Sequence, residues 1–265
     1  MHFQHRFVLG LKRAVYGARG EPYRIAGHTL RYLPGTRPVR MRYVNSKCSN
    51  ARYDALQILW LTTLLGEGDT ALDIGAHCGE YSILMAAQCG QTGHVVACEP
   101  DPHAREFLAK NLALNPGIKR PTIENSACSD EIGDAILFSR GGNSQSSLAR
   151  FAVEFCSAHH AEEIRVPTVT LDAYLLEHRL PAPRCVKIDA EGAEIRILKG
   201  AKQILASSAY VVCELHPYAW PEFGSTLTEL KELTAGSGRR VRYLDQDAEI
   251  GDHVEYGTVM LERYS

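Results

Sequence analysis

No segment of this chain is built to cross a membrane. Tyr53 to Leu65 is apolar nearly all round but runs for about thirteen residues, short of the roughly twenty that a bilayer needs. The N-terminal MHFQHRFVLGLKRAVYGARG is broken by Lys12 and Arg13, which excludes a signal-type apolar core and suits an amphipathic helix packed on the body. No C-x-x-C pair occurs among the eight cysteines, and several sit in apolar runs. Neither a zinc site nor a disulfide framework is expected, and the chain reads as one kept in a reducing cytosol. A basic excess is missing too: 29 Lys and Arg face 31 Asp and Glu, a net charge of −2. That argues against a nucleic-acid partner, apart from a local cluster at Arg31, Arg37, Arg40 and Arg42. At 265 residues the chain fits one α/β domain with an added segment.

The most informative stretch also lacks something. In TALDIGAHCGEYS, Thr70 to Ser82, an apolar run with one acid, Asp73, gives way to Gly75 and Gly79, and ILMAA continues as a helix. A buried strand, a glycine turn and a helix N-terminus make a cradle where the backbone can approach a ligand and where a negatively charged ligand group is favoured. The dinucleotide pattern G-x-G-x-x-G is missing its second glycine, where His77 stands, and no Lys-Ser or Lys-Thr follows Gly79 as a P-loop requires. A second acid, Glu99, ends the apolar run HVVACEP about twenty residues past Gly79, the place of a ribose-binding carboxylate in a Rossmann-like chain. A strand acid plus a ribose-binding acid suits a nucleoside with an amino-acid tail. S-adenosylmethionine answers that description better than NAD.

Around this turn the chain alternates strand and helix. Tyr53 to Leu65 predicts a buried helix; Val95 to Cys98, Pro102 to Leu114 and Thr122 to Asn125 continue the βαβ order of a parallel sheet covered on both faces, with a loop at Ser126 to Gly133. Upstream, Glu21 to Tyr43 alternates apolar and polar residues between glycines and prolines, which predicts a β-hairpin that either shapes the pocket or extends the sheet edge. Ala135 to Ser139 and Glu163 to Val169 read as strands around GGNSQSS, Gly141 to Ser147, either a surface loop or a lid. The strand Arg184 to Ile188 ends in Asp189-Ala190-Glu191-Gly192 before a helix over Ala193 to Leu205. Asp189 therefore stands on the same sheet edge as Gly75 and Glu99, either as a functional acid or, like Glu191, as a helix cap. YVVCEL, Tyr210 to Leu215, puts His216 at its tip, where a neutral imidazole would accept a proton from an acceptor hydroxyl. The pair His159 and His160 is a weaker candidate. A helix over Leu227 to Leu233 and strands at Arg240 to Leu244 and Thr258 to Arg263 complete the chain.

DIGAHCGEYSILMAA, ACEPDPHAREFLAKNLALN, NSQSSL, VPTVTLDAYL, VKIDAEGAEIRILKGA and VVCELHP occur in this order over about two thirds of the chain, and together they resemble the FkbM-type methyltransferases. Members usually carry Asn and an aliphatic residue where this chain has His77 and Cys78. The resemblance implies an α/β, Rossmann-like class I methyltransferase fold: a mostly parallel seven-stranded sheet with helices on both faces and a reversed final hairpin, residues 53–265, behind an N-terminal extension over 1–52. It implies S-adenosylmethionine held by Asp73, Gly75, His77, Gly79, Tyr81 and Ser82, by Glu99 and Pro100, by Ser126 and Ala127, and by Asp189. His216 and Asp189 are the catalytic candidates, and Glu191, Ser144 and Ser146 face the acceptor.

The implied reaction is O-methylation of a hydroxyl on a sugar, glycolipid, polyketide or other natural product. A small-molecule or glycan acceptor is expected, with S-adenosylhomocysteine as the second product. Asp189 with Glu191 would offer hard oxygen ligands to Mg²⁺, though nothing in the spacing demands a metal. The Asn-Pro-Pro-aromatic run of the amine-directed nucleic acid enzymes is absent, and IDAEG stands in its place. Rival readings are a cofactor-binding module without turnover, a methyltransferase acting on nucleic acid or protein, and an NAD(P)-linked oxidoreductase. The sequence leaves the oligomeric state open.

Overall fold

A computed structural model of the chain describes residues 10–36, 38, 49–142, 146–150, 161–246 and 248–264. Arg37, Arg40, Arg42, Cys48, Ser144, Cys156, His159 and His160 lie outside the described residues.

Seven strands form the central sheet: β3 (Thr70–Ile74), β4 (His94–Cys98), β5 (Thr122–Glu124), β9 (Cys185–Ile188), β10 (Tyr210–Leu215), β11 (Arg239–Tyr243) and β12 (Gly257–Arg263). Their order is β11-β12-β10-β9-β3-β4-β5. The run from β10 to β5 is parallel, and β12 enters antiparallel to both β10 and β11, which is the reversed hairpin expected of the fold. The chain winds outward from β3 through β4 to β5, then returns to lay β9 on the other side of β3. The order reverses between β3 and β9, and a crevice opens there at the carboxyl edge.

Strand periodicity sends alternate residues to opposite faces. Leu72, Ile74, Val186 and Ile188 join one buried cluster with Ile195, Leu198 and Leu205. Ala71 and Cys185 join the other, with Ile58, Leu61, Ile83 and Leu84. Helix α1 (Ser49–Leu64), α2 (Glu80–Cys89) and α3 (Pro102–Ala113) belong to the second face; α4 (Leu171–Glu177), α5 (Glu194–Lys199), α6 (Lys202–Ala206) and α7 (Leu227–Gly236) follow the middle strands.

The structure corrects several expectations. The helix predicted over Ala193 to Leu205 is two helices, α5 and α6, which part at Gly200, where a Cβ would lie 2.1 Å from the Ser129 carbonyl oxygen. The Asp172 carboxylate accepts from the backbone of Gln203 at 2.8 Å and restarts the chain as α6. Helix α1 is not buried all round: Ile58 and Leu61 are inside while Leu59 is 44% exposed. The loop expected over Ser126 to Gly133 contains β6 (Ala127–Cys128), which with β7 (Gly133–Ser139) and β8 (Glu162–Val169) makes a separate three-stranded sheet in the order β6-β8-β7.

The hairpin of β1 (Glu21–Ile25) and β2 (His28–Tyr32) turns through Ala26 and Gly27, both at positive φ, as a two-residue hairpin turn needs. Among the described residues it neither extends the large sheet nor lines the pocket. Instead Tyr23, Leu30 and Tyr32 pack into the core of the second face, and Asn111 and Asn115 of the α3 end accept from the backbone of Leu33 and Arg31 at 2.7 and 2.8 Å.

Candidate active site

The turn after β3 is a chain of left-handed residues: Gly75, His77 and Gly79 have φ of 78°, 46° and 81°. Gly75 is required sterically. A Cβ there would lie 1.7 Å from the carbonyl oxygen of Asp189 across the crevice, so only bare backbone lets β3 and β9 end so close together. Gly79 precedes α2, and a Cβ on it would strike Leu108. The non-glycine His77 is held in its strained conformation from both ends: its backbone N–H donates to Glu99 at 2.7 Å, and its Nε2 lies 2.8 Å from the Gly142 carbonyl.

A cavity of about 310 Å³ opens at this edge, within the size range of small-molecule sites. Gly75, His77 and Tyr81 line it from the first turn, Glu99 and Pro100 from the second strand, and Ser126 and Ala127 from the third. Ser146, Asp189 and Glu191 complete the predicted residues on its wall. Gly79, Asp73, Ser82 and His216 stand behind the wall and do not line it. Ser82 is buried and donates to Asp73 at 2.5 Å, which leaves the other Asp73 oxygen without a hydrogen-bond partner. Ser146 donates to Asp101 at 2.7 Å, and the adjacent Ser147 donates to the Glu191 carbonyl at 2.7 Å, so the C-terminal end of the serine-rich loop is fastened to both sides of the cavity.

Seven carboxylates line the cavity, from Asp54, Glu80, Glu99, Asp101, Asp189, Glu191 and Glu214, against a single lysine, Lys187. Such a wall favours a ligand carrying positive charge. Glu99 accepts from the His77 and Asp101 backbones at 2.7 and 2.8 Å; burial outweighs these bonds and pushes its carboxyl up to about 7.

The opposite end is a network of side chains. Lys187 pairs in register with Asp73 on the neighbouring strand and is 1% exposed. Its ammonium lies 3.2 Å from Asp189, 3.9 Å from Asp73 and 4.6 Å above the Tyr81 ring. Burial opposes its charge, but Asp189 and Asp73 together hold the lysine above its ordinary range; despite burial, Lys187 in turn holds the Asp189 carboxyl below its ordinary value. Burial raises Asp54 to about 6, and Glu191 and Glu214 to about 7. Tyr218 donates to Glu191, and Tyr256 to Glu214.

His216 is not the neutral base that its position suggested. Its Nδ1 donates to Glu194 at 2.8 Å, and Glu194, fully buried, also accepts from the Gly192 backbone and the Trp220 indole. Burial disfavours the imidazolium, but Glu194, Glu191 and Asp189 outweigh it and lift the ring to about 10. A ring that holds its proton cannot take another. Asp189 and Glu191 do not cap a helix either, since α5 has no side-chain cap.

Lys187 and Glu194 are two residues of this network that sequence reasoning passed over. Each left one signal: a lysine inside the apolar strand CVKI, and an acid on the apolar face of GAEIRIL.

The family model described as the methyltransferase FkbM domain matches residues 73–238, more than half of the chain. The chain belongs to the FkbM methyltransferase family. A curated relative, the hexuronic acid methyltransferase AglP of Haloferax volcanii, is 26% identical over 185 residues, 70% of this chain and 71% of that protein. Among solved structures, the methyltransferase FkbM of Methylobacillus flagellatus superposes with a TM-score of 0.47 at 14% identity, over 80% of this chain; the chain spans 52% of the length of that one. An S-adenosylmethionine-dependent O-methyltransferase of Thermotoga maritima gives 0.45 at 14% identity, over 93% and 78% of the two chains. Among the described residues of this FkbM member, no helix is long and apolar enough to cross a membrane.

Proposed function

We propose that this protein transfers the methyl group of S-adenosylmethionine to a hydroxyl of a sugar or sugar-containing natural product. The observation that carries the reading is the acid-lined cavity at the β3–β9 reversal, with Glu99 at one end and the Asp189–Glu191 turn at the other. The residues present fit the donor. Gly75 leaves the backbone bare, Glu99 would accept from ribose hydroxyls, Pro100, Ser126 and Ala127 flank the place of the base, and the acidic wall suits a group with a sulfonium and an ammonium. When bound, that donor supplies an activated methyl group that passes to an acceptor oxygen while the bond pair stays on sulfur. The protein's own tasks are alignment, exclusion of water and removal of the hydroxyl proton.

Glu191 receives that proton. It lines the cavity and is held there by a left-handed backbone, φ 48°, whereas Asp189 is tied to Lys187 and His216 is already protonated. A sugar acceptor is supported by the relative named for hexuronic acid.

Titration calorimetry with S-adenosylmethionine, S-adenosylhomocysteine and NAD tests the donor, followed by transfer of labelled methyl to neutral and acidic sugars. Binding of both adenosyl compounds but not NAD, with label transferred to a sugar oxygen, is expected. NAD binding, or label on no sugar hydroxyl, overturns the reading.

A further inference from the structure

The end of the cavity farthest from the glycine turn holds an arrangement that methyl transfer alone does not account for. His216 is 2% exposed, and its Nδ1 is committed to Glu194. Among the described residues its Nε2 has no hydrogen-bond partner. Around that nitrogen stand Glu191 Oε2 at 3.6 Å, Glu214 Oε1 at 3.9 Å and Asp189 Oδ1 at 4.0 Å. These separations are too long for hydrogen bonds, yet they match the spacing of donor atoms around one shared ion: ligands at about 2.1 Å from a metal lie roughly 3 to 4 Å from one another. The donor atoms of Asp189, Glu214 and His216 all fall within 4.8 Å of each other.

The surroundings are those of a ligating histidine. A metal-bound imidazole characteristically donates its other N–H to a carboxylate, which fixes the tautomer and aims the free nitrogen. Glu194 does this for His216 and is itself fixed by the Gly192 backbone and Trp220. Asp189 has one oxygen on Lys187 and the other turned to the imidazole. Four carboxylates surround the ring, from Asp189, Glu191, Glu194 and Glu214. With Lys187 as the nearby cation, a divalent ion lowers the net charge without reversing it.

From this geometry we infer that Asp189, Glu214 and His216 form a divalent transition-metal site, the ion taking the place of the proton that His216 Nε2 carries without it, with Glu194 as the orienting residue and Glu191 left on the cavity wall. One imidazole with two carboxylates suits Mn²⁺ or Zn²⁺ better than the all-oxygen preference of Mg²⁺. Asp189 and Glu214 also line the cavity, so the ion would face the acceptor and polarise its oxygen. That last use rests on the methyltransferase reading; binding of the ion does not.

The test uses the full chain stripped with a chelator. Mn²⁺ is titrated by calorimetry and by loss of the free-ion electron paramagnetic resonance signal, alongside a separate titration with S-adenosylhomocysteine. One Mn²⁺ per chain is expected, weakened about 10- to 100-fold by Glu194→Gln and at least as much by Glu214→Gln or His216→Gln. A single cooperative urea-unfolding transition in each variant shows that it folds. If the folded chain binds S-adenosylhomocysteine but takes up neither Mn²⁺ nor Zn²⁺, or if Mn²⁺ binding ignores both Glu214→Gln and His216→Gln, the site does not exist. If Mn²⁺ binds as expected and S-adenosylhomocysteine does not, the metal site stands and the methyltransferase reading falls.

Discussion

The two ends of the cavity are built from different materials. At the β3–β4 end the wall is built around backbone: three left-handed positions at Gly75, His77 and Gly79, carbonyls and N–H groups, with the Glu99 carboxylate braced by two amides. At the β9–β10 end it is mostly charge, with Lys187, Asp189, Glu191, Glu194, Glu214 and His216 held by one another. A ligand that every turnover reuses can be met by fixed backbone geometry. An acceptor whose proton must leave needs groups whose charge state is set by their neighbours.

The comparison breaks first at Glu191. Glu191→Gln keeps the shape and removes the proton acceptor, so kcat should fall about 10²- to 10⁴-fold while the affinity for S-adenosylhomocysteine stays within a few-fold. Steady-state kinetics beside calorimetry checks this; an equal loss in both would mean that the two ends are one site and not two. Lys187→Met strikes next. It leaves Asp73 and Asp189 as uncompensated buried carboxylates, and loss of one partner from a buried pair costs about 3 to 5 kcal/mol, read as a lowered midpoint in urea unfolding. Burying a methionine in place of a paired lysine without loss would show that the charges at this end do not depend on each other.

That contrast also decides how much of the site was legible. The glycine turn, Glu99 and the strand–helix alternation could be read because such patterns are local, whereas the seven-stranded sheet with its reversed hairpin was implied by the family resemblance. Asp189 and His216 were placed on the correct edge because both end strands. Their charge states were not readable, since His216 owes its proton to Glu194 at the start of α5 and to Glu191 and Asp189 of the β9–α5 turn, brought together by the fold. Glu194 looked like an ordinary helix acid until Trp220 and His216 closed over it. The break at Gly200 escaped for the same reason: the periodicity of GAEIRILKGAKQIL favours one helix, and the close approach of Ser129 to Gly200 is a tertiary contact.

A milder challenge to the backbone end is Gly75→Ala. With φ at 78° and the Asp189 carbonyl in the way, the added methyl must push β3 from β9. A displacement of about 1 Å is expected to weaken S-adenosylhomocysteine binding or slow transfer about 100-fold, with the β9–β10 charge network and its Mn²⁺ affinity less affected. Calorimetry on the variant separates the two ends directly.

The smallest effect is the most diagnostic, because its sign differs between stability and binding. The Glu99 carboxyl is lifted to about 7 by burial, so between the ordinary glutamate value and pH 7 the folded chain holds a proton that the unfolded chain has lost. The contribution of Glu99 to stability is therefore fully present below that window and is lost as pH rises through about 7. Binding runs the other way. Ribose hydroxyls donate to the ionised carboxylate, so affinity for S-adenosylhomocysteine should be level above pH 7 and fall up to about tenfold per unit below it. Glu191, Glu214 and Asp54 titrate nearby, which is why the comparison is wild type against Glu99→Gln: the variant loses affinity at pH 8, flattens the binding slope and removes this group's share of the stability slope. A binding slope unchanged in Glu99→Gln would assign the titration to the acceptor end and deny Glu99 its place at the ribose.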